Sequence, residues 1–466
     1  MKEKAVTLLN DSKTARWIAL ILISLTMFFA YFFVDVVAPL KTLLEQAPYF
    51  WSNETFGMLG GSEFFLNVFA GFLILSGIIL DKMGIRFTLI LSGALMLIGG
   101  TLKWYALTPG FVGTGIEASL NSFIVGIPAS AKLAFFGFAI FGVGVEMAGI
   151  TVSKTIVKWF KGKELALAMG LEMALARLGV FAVFQLSPIF AKSGGVSNSV
   201  FFGVLFLSIG FITFFIYTFM DKALDKQTGG IELAPEDEFK ISDLGKIITN
   251  PGFLAIAGLC VLFYSAIFPF QKFATDMLAS KLSIDAAIAS KYVSFFPIGA
   301  MVLTPFIGAF LDFKGKGATM MMYGAILLTV SHLIFALVPD AAFTPVVAIA
   351  TIVILGVAFS LVPASMWPSL PKIVEDRYLG SAYGLIFYIQ NIGLLLVPML
   401  IGYALSASNP GVSEQIAAGV EGVKYNYTVP ELIFSGFGVL AIILSVVLKR
   451  VDHKNSYGLD IPNKQS

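Results

Sequence analysis

Gly77-Ile-Ile-Leu-Asp81-Lys-Met-Gly84-Ile-Arg86 ends one long apolar stretch of this chain, and Gly308-Ala-Phe-Leu-Asp312-Phe-Lys-Gly315-Lys316 ends another. Both read G-x-x-x-D-x-x-G with a cation close behind, 231 residues apart in a chain of 466. One such match carries little weight. Two, at equivalent places, indicate an internal duplication. The glycines suit a tight turn and close helix approach. The aspartates suit a local cation or a helix N-terminus. Such contacts can form in one conformation and break in another. Gly77, Asp81, Gly84, Arg86, Gly308, Asp312 and Gly315 are therefore read as a conformational switch, with ordinary charged turns as the plainer alternative.

Around these motifs the chain is strongly apolar: 57% of residues are hydrophobic and only 13% charged. No soluble domain of this length hides that much apolar surface. A membrane span needs ~20 mostly apolar residues. Twelve such runs are predicted, at roughly 17–40, 57–80, 87–107, 131–156, 165–191, 199–220, 252–275, 289–311, 318–338, 345–367, 380–405 and 431–449. The first is too long for a cleaved signal and carries Asp35 and Pro39. The expected fold is an all-α polytopic membrane protein with twelve transmembrane helices in two six-helix halves. Residues 1–220 form the first half, the polar stretch 221–251 a cytoplasmic linker, and 252–466 the second half with a short tail. The third run carries Lys103 near one end, where a long side chain can reach the interface.

Positive residues orient the bundle. With the N-terminus inside, 22 lysines and arginines fall on the cytoplasmic side and 8 on the other, leaving Arg177 in the membrane. That bias places both termini in the cytoplasm. Cys260 is the single cysteine, and His332 and His453 are the only histidines. No internal disulfide, metal cluster or cofactor is expected.

Glu146 and Arg177 lie inside adjacent predicted spans, in FFGFAIFGVGVEMAGITV and LALAMGLEMALARLGVFAVF. Charge at bilayer depth costs at least ~2.5–3.5 kcal/mol and marks a functional position. Counting at 1.5 Å per residue from the short turn near Lys161-Gly162-Lys163, Glu146 lies about 18 Å deep and Arg177 about 21 Å. The two are thus level near the midplane. A carboxylate can take an α-ammonium, and a guanidinium can grip a carboxylate through two parallel hydrogen bonds. A ligand carrying both signs fits, although a self-neutralising Glu–Arg pair is the alternative. Tyr264, Trp367, Tyr388 and Asn391 are the further candidates to line a cavity. Tyr31, Asn67, Gln271, Phe295, Phe296 and Gln390 are weaker ones. Asp35 and Glu63, nearer the outer end, are read as lining a wet vestibule.

With these motifs in view, the chain resembles the major facilitator superfamily of transporters over its whole length. Lys158-Trp-Phe-Lys-Gly-Lys-Glu164 leading into Arg177, Met366-Trp-Pro368, Gly380-Ser-Ala-Tyr-Gly384 and Gln390-Asn-Ile-Gly393 resemble its lysosomal dipeptide uniporter branch and bacterial relatives. That resemblance implies alternating access, dipeptide substrates, and Glu146 and Arg177 engaging the two ends of the peptide. The G-P-x-x-G-G signature of drug antiporters, the E-x-x-E-R of proton-coupled oligopeptide symporters and the sugar-porter P-E-S-P-R are not found.

The expected function is therefore a membrane carrier of small zwitterions, most of all dipeptides, acting as a uniporter. The alternatives are a proton-coupled carrier of another small organic solute, such as an organic anion held by Arg177, and a non-transporting receptor or scaffold. No nucleophile–base set, metal cluster or phosphate loop points to an enzyme. The partners expected are the small-molecule substrate and the lipid bilayer, with no nucleic acid. A single cysteine and short tails favour a bacterial inner membrane over a lysosomal one. The sequons at Asn53 and Asn426 carry no weight in a bacterium.

Overall fold

The structure, a computed structural model, describes residues 8–228 and 245–462. Helices dominate, and no strand occurs among the described residues. Eleven segments are long and apolar enough to cross a membrane, again among the described residues. The second span escapes that set because it is broken into Asn53–Ser62, Phe65–Phe69 and the start of Phe72–Ala106. The last of these helices runs on through the third span, with a break at Gly84, where φ is +78° and ψ 170°. Gly315 ends the eighth span with φ +72°. Both motif copies thus place glycine where an L side chain is strained.

The other spans are Lys13–Val34, Ala129–Phe160, Leu165–Ala191, Gly195–Thr228, Pro251–Leu282, Phe295–Lys314 preceded by Ala286–Val293, Gly317–Leu337, Pro345–Ile373, Leu379–Ser408 and Thr428–Asn455. All sit where predicted, and most extend past the apolar runs; the first stops short, at Val34, and the fifth matches its run residue for residue. The sixth continues to Thr228, so residues 221–228 of the expected linker are helical. Residues 229–244 lie outside the described set.

Packing repeats the duplication. The first span packs on the fifth and sixth, and the third on the fourth and sixth; the seventh packs on the eleventh and twelfth, and the ninth on the tenth and twelfth. The halves meet where the second span touches the eleventh and the fifth touches the eighth.

Proline sets local chemistry in these helices. Its missing N–H orphans the carbonyl four residues earlier. Pro188 leaves the Phe184 carbonyl free, and Ser290 of the opposite half donates its hydroxyl to it. Pro371 does the same to Trp367, whose carbonyl accepts the Tyr383 hydroxyl at 3.2 Å.

Candidate functional site

Arg177, half-buried on the fifth span, is held by rings and not by an acid. Its guanidinium carbon lies 4.8 Å from the Phe359 ring centroid, 5.7 Å from Tyr31 and 5.8 Å from Phe268. Tyr264 stacks on Phe268 at 5.5 Å and meets Phe359 at 6.1 Å. Arg177 and Tyr31 come from the first half, and the other three rings from the second. The cradle therefore closes across the interface between halves. Ring faces attract the cation by about 0.5–2 kcal/mol, and their contact does not consume the guanidinium N–H donors.

Glu146, also half-buried, has no hydrogen-bond or ion-pair partner among the described residues, and neither has Arg177. The self-neutralising pair is not what the structure contains. Both charges nevertheless share one region, because Tyr31 lies in electrostatic range of Arg177, Glu146, Glu172 and Glu63. Glu172 was missed by the sequence reading. It lies in the same apolar run as Arg177, five residues before it, and within range of its charge; an acid there was a visible signal.

The remaining candidates divide. Tyr264 belongs to the Arg177 cradle. Trp367 stacks on Phe387 at 4.9 Å and lies tilted against Tyr383 at 6.0 Å, forming a second aromatic group. Tyr388 donates to the Val68 carbonyl at 3.2 Å, so it bridges the broken second span and the eleventh. Asn391 donates to the Phe387 carbonyl at 2.9 Å, while its own carbonyl oxygen is buried without a partner.

Asp35 and Glu63 do not line a wet vestibule. Both are buried, at 3% and 4% exposure, inside a network that joins the halves. Lys272 lies 2.8 Å from Asp35 and 3.8 Å from Glu63, and Gln271 donates to Asp35 at 2.8 Å. Gln271 thus belongs to this network. Lys103 does not reach the interface either. It is fully buried, with its ammonium 3.6 Å from the Phe138 centroid and 5.1 Å from Phe33. Burying a charge stands only when partners offset its desolvation, and the apolar-looking third span conceals that cost.

A second layer lies further out. Lys41 pairs with Glu45 at 2.6 Å and Asp276 at 3.0 Å. Tyr425 donates to Glu45 at 2.9 Å, and Tyr427 donates to Asp276. Burial pushes the phenols of both loop tyrosines up. A cavity of about 890 Å³ opens above, lined in part by Asp276 and Tyr425 and by neither Glu146 nor Arg177. These bonds all lie on the face away from the termini.

The motif residues face the other way. Asp81 pairs with Lys154 of the fourth span at 2.7 Å. Arg86 reaches Asp225 at 2.6 Å and Asp221 at 3.4 Å, and Lys158 binds the same two acids at 2.6 and 2.7 Å. A Cβ at Gly77 or Gly308 would meet nothing within 4 Å, so neither glycine supports a close helix approach in this conformation. Asp312 makes a contact of its own. The second motif is covered by the tail: the Lys316 and Gly317 amides donate to Asp460 and Leu459 carbonyls at 3.0 and 3.1 Å. Nothing in the sequence announced that strap.

With this geometry in place, comparison with known proteins is informative. The pattern describing the Major Facilitator Superfamily matches residues 20–398 and 273–460. Human MFSD1, a lysosomal dipeptide transporter, is 27% identical over 418 residues, covering 84% of this chain and 80% of its own. The mouse protein of that name is 27% identical over 281 residues, and there the chain spans only 59% of the relative's length. Among solved structures, the nucleoside transporter NupG superposes with a TM-score of 0.68 at 14% identity, covering 93% of this chain and 99% of that one. A bacterial homologue of the human lysosomal transporter Spinster, inward-facing and unoccupied, also gives 0.68 at 14%, covering 95% and 99%. Likeness at that identity speaks for the fold alone. The chain belongs to the Major Facilitator Superfamily, as a multi-pass membrane carrier and not an enzyme.

Proposed function

We propose that this carrier moves small zwitterions, dipeptides above all, by alternating access and as a uniporter. The observation that carries the reading is an arginine without an acidic partner, cradled by rings from both halves, with a partnerless carboxylate in the same region. Arg177 takes the peptide carboxylate through its planar N–H edge, and Glu146 takes the α-ammonium. Tyr264, Trp367, Tyr388 and Asn391 line the path, the rings tolerating varied side chains. The name of the human relative supports the substrate class.

Alternating access follows from the asymmetry of the contacts. The halves are bonded on the face away from the termini, through Lys272, Asp35, Lys41 and Asp276. The motif residues Gly77, Asp81, Gly84, Arg86, Gly308, Asp312 and Gly315 bias the exchange on the other face, as halves 1–220 and 252–466 rock about 221–251. The excess of cations on the termini face supports a cytoplasmic location for both ends, in a bacterial inner membrane.

A second reading has one observation of its own. Glu172, close to Arg177, adds a carboxylate that can carry a proton while Arg177 holds an organic anion. Dipeptide counterflow in proteoliposomes separates the two. The uniport reading expects counterflow with no pH gradient and no accumulation when one is imposed. Uphill accumulation driven by an inward proton gradient alone replaces it with the second.

A further inference from the structure

The loop joining the third and fourth spans shows an apolar surface that the carrier function does not use. Between Ala106 and Ala129 it displays Val112, Ile116, Phe123, Ile124 and Val125 at 63%, 51%, 64%, 56% and 92% exposure. In a water-filled setting such a cluster is costly, and scattered single residues would be unremarkable. Here three are consecutive at the tip.

The loop is built and not slack. Phe111 is buried and packs edge-on against Tyr105 at 5.8 Å. Thr114 accepts from the Glu117 amide at 3.2 Å, and Glu117 accepts from the Gly113 amide at 2.6 Å, which starts the short helix Gly115–Asn121. Lys132 donates to the Leu120 carbonyl at 2.6 Å and to the Phe123 carbonyl.

That last contact sets the depth. Lys132 lies in the first turn of the fourth span, so its grip draws Leu120 and Phe123 level with the end of that span. Composition agrees: between Lys103 and Lys132 the only charged residue is Glu117, and its carboxylate is spent on the loop's own backbone. An apolar tip without free charge, rooted at the mouth of two spans, matches the headgroup–acyl boundary, where apolar faces bury a few ångströms deep.

We propose that Phe123, Ile124 and Val125 insert into the lipid surface on the face away from the termini, anchoring the third and fourth spans to one leaflet. The test uses the full chain in lipid nanodiscs, with V125C labelled by an environment-sensitive fluorophore in a C260A background. An E421C label, in the exposed loop between the eleventh and twelfth spans, serves as the aqueous control. Brominated acyl chains should quench most of the V125C signal while aqueous iodide quenches little, and E421C should show the reverse. Because Val125 is 92% exposed, the substitution leaves packing intact. Quenching of V125C by iodide and not by brominated lipid overturns the proposal. So does protection from both quenchers, which would mean that a protein surface or a second copy covers the tip.

Discussion

The Lys272 ammonium sits 2.8 Å from the Asp35 carboxylate and 3.0 Å from the Val34 carbonyl that ends the first span's helix. The ion pair joins the seventh span to the first, and the cation also complements a helix C-terminus. Both residues are buried, so the bond gains strength from the low dielectric and is costly to break from one side.

K272A should therefore open this face. Removing one partner of a buried pair costs about 3–5 kcal/mol, here charged against the closed arrangement, since Asp35 and Glu63 are left uncompensated. Spin labels on the outer ends of the first and seventh spans should show longer distances in the variant. An unchanged distance distribution would remove Lys272 from the gating account.

G77L and G308L test the opposite face. A Cβ at either position meets no atom within 4 Å, so both proteins should fold and keep this conformation. If the motif glycines come close to another helix in the alternate state, each variant should slow transport at least tenfold, a bias of about 1.4 kcal/mol against that state. Wild-type rates in both would remove Gly77 and Gly308 from the switch.

Y383F should destabilise the protein by about 1–3 kcal/mol, because it leaves the Trp367 carbonyl without a donor. The proline that orphans that carbonyl suggests a rescue. P371A restores a backbone N–H, so the double variant P371A/Y383F should regain much of the loss in thermal unfolding. Simple additivity of the two changes would contradict the shared acceptor.

The N-terminal segment provides a pH readout. Hydrogen bonds from Arg16 and Lys163 hold the Glu164 and Asp11 carboxyls below their usual range. A lowered pKa means that the docking contribution is full above the ordinary carboxylate range and fades as pH falls through the lowered value. Amide exchange at Asp11 and Ser12, corrected for intrinsic rates, should rise below roughly pH 4. Exchange that is flat from neutral to acid pH would show that these bonds do not hold the segment.

How far the sequence led depends on which forces leave a pattern. Lipid imposes an apolar length on each span, so the runs are legible in the chain and the duplicated motif locates the halves. Breaks leave less trace. The breaks of the second span, near Glu63 and near Gly71, look like a continuous apolar run, and at the second the Val68 carbonyl is matched from another helix by Tyr388. Charges were legible as charges but not by partner. Asp35 and Glu63 looked solvent-facing until Lys272, more than two hundred residues away, was brought against them. Lys103 defeated the reading for the same reason: its aromatic surroundings come from two other helices. Glu146 and Arg177 were found by their cost in the membrane alone, while the ring cradle around Arg177 needs four spans to assemble.

The central claim is that Glu146 and Arg177 grip opposite ends of one zwitterion. Affinities of a free, an N-acetylated and a C-amidated dipeptide, measured on the wild-type protein, E146Q and R177A, test it as a cycle. The account predicts that R177A and C-amidation each weaken binding by about 2 kcal/mol or more, roughly thirtyfold, and that combining them costs little beyond either alone. E146Q and N-acetylation should behave as the matching pair. Full additivity in both pairs, or wild-type affinity in R177A, would contradict it.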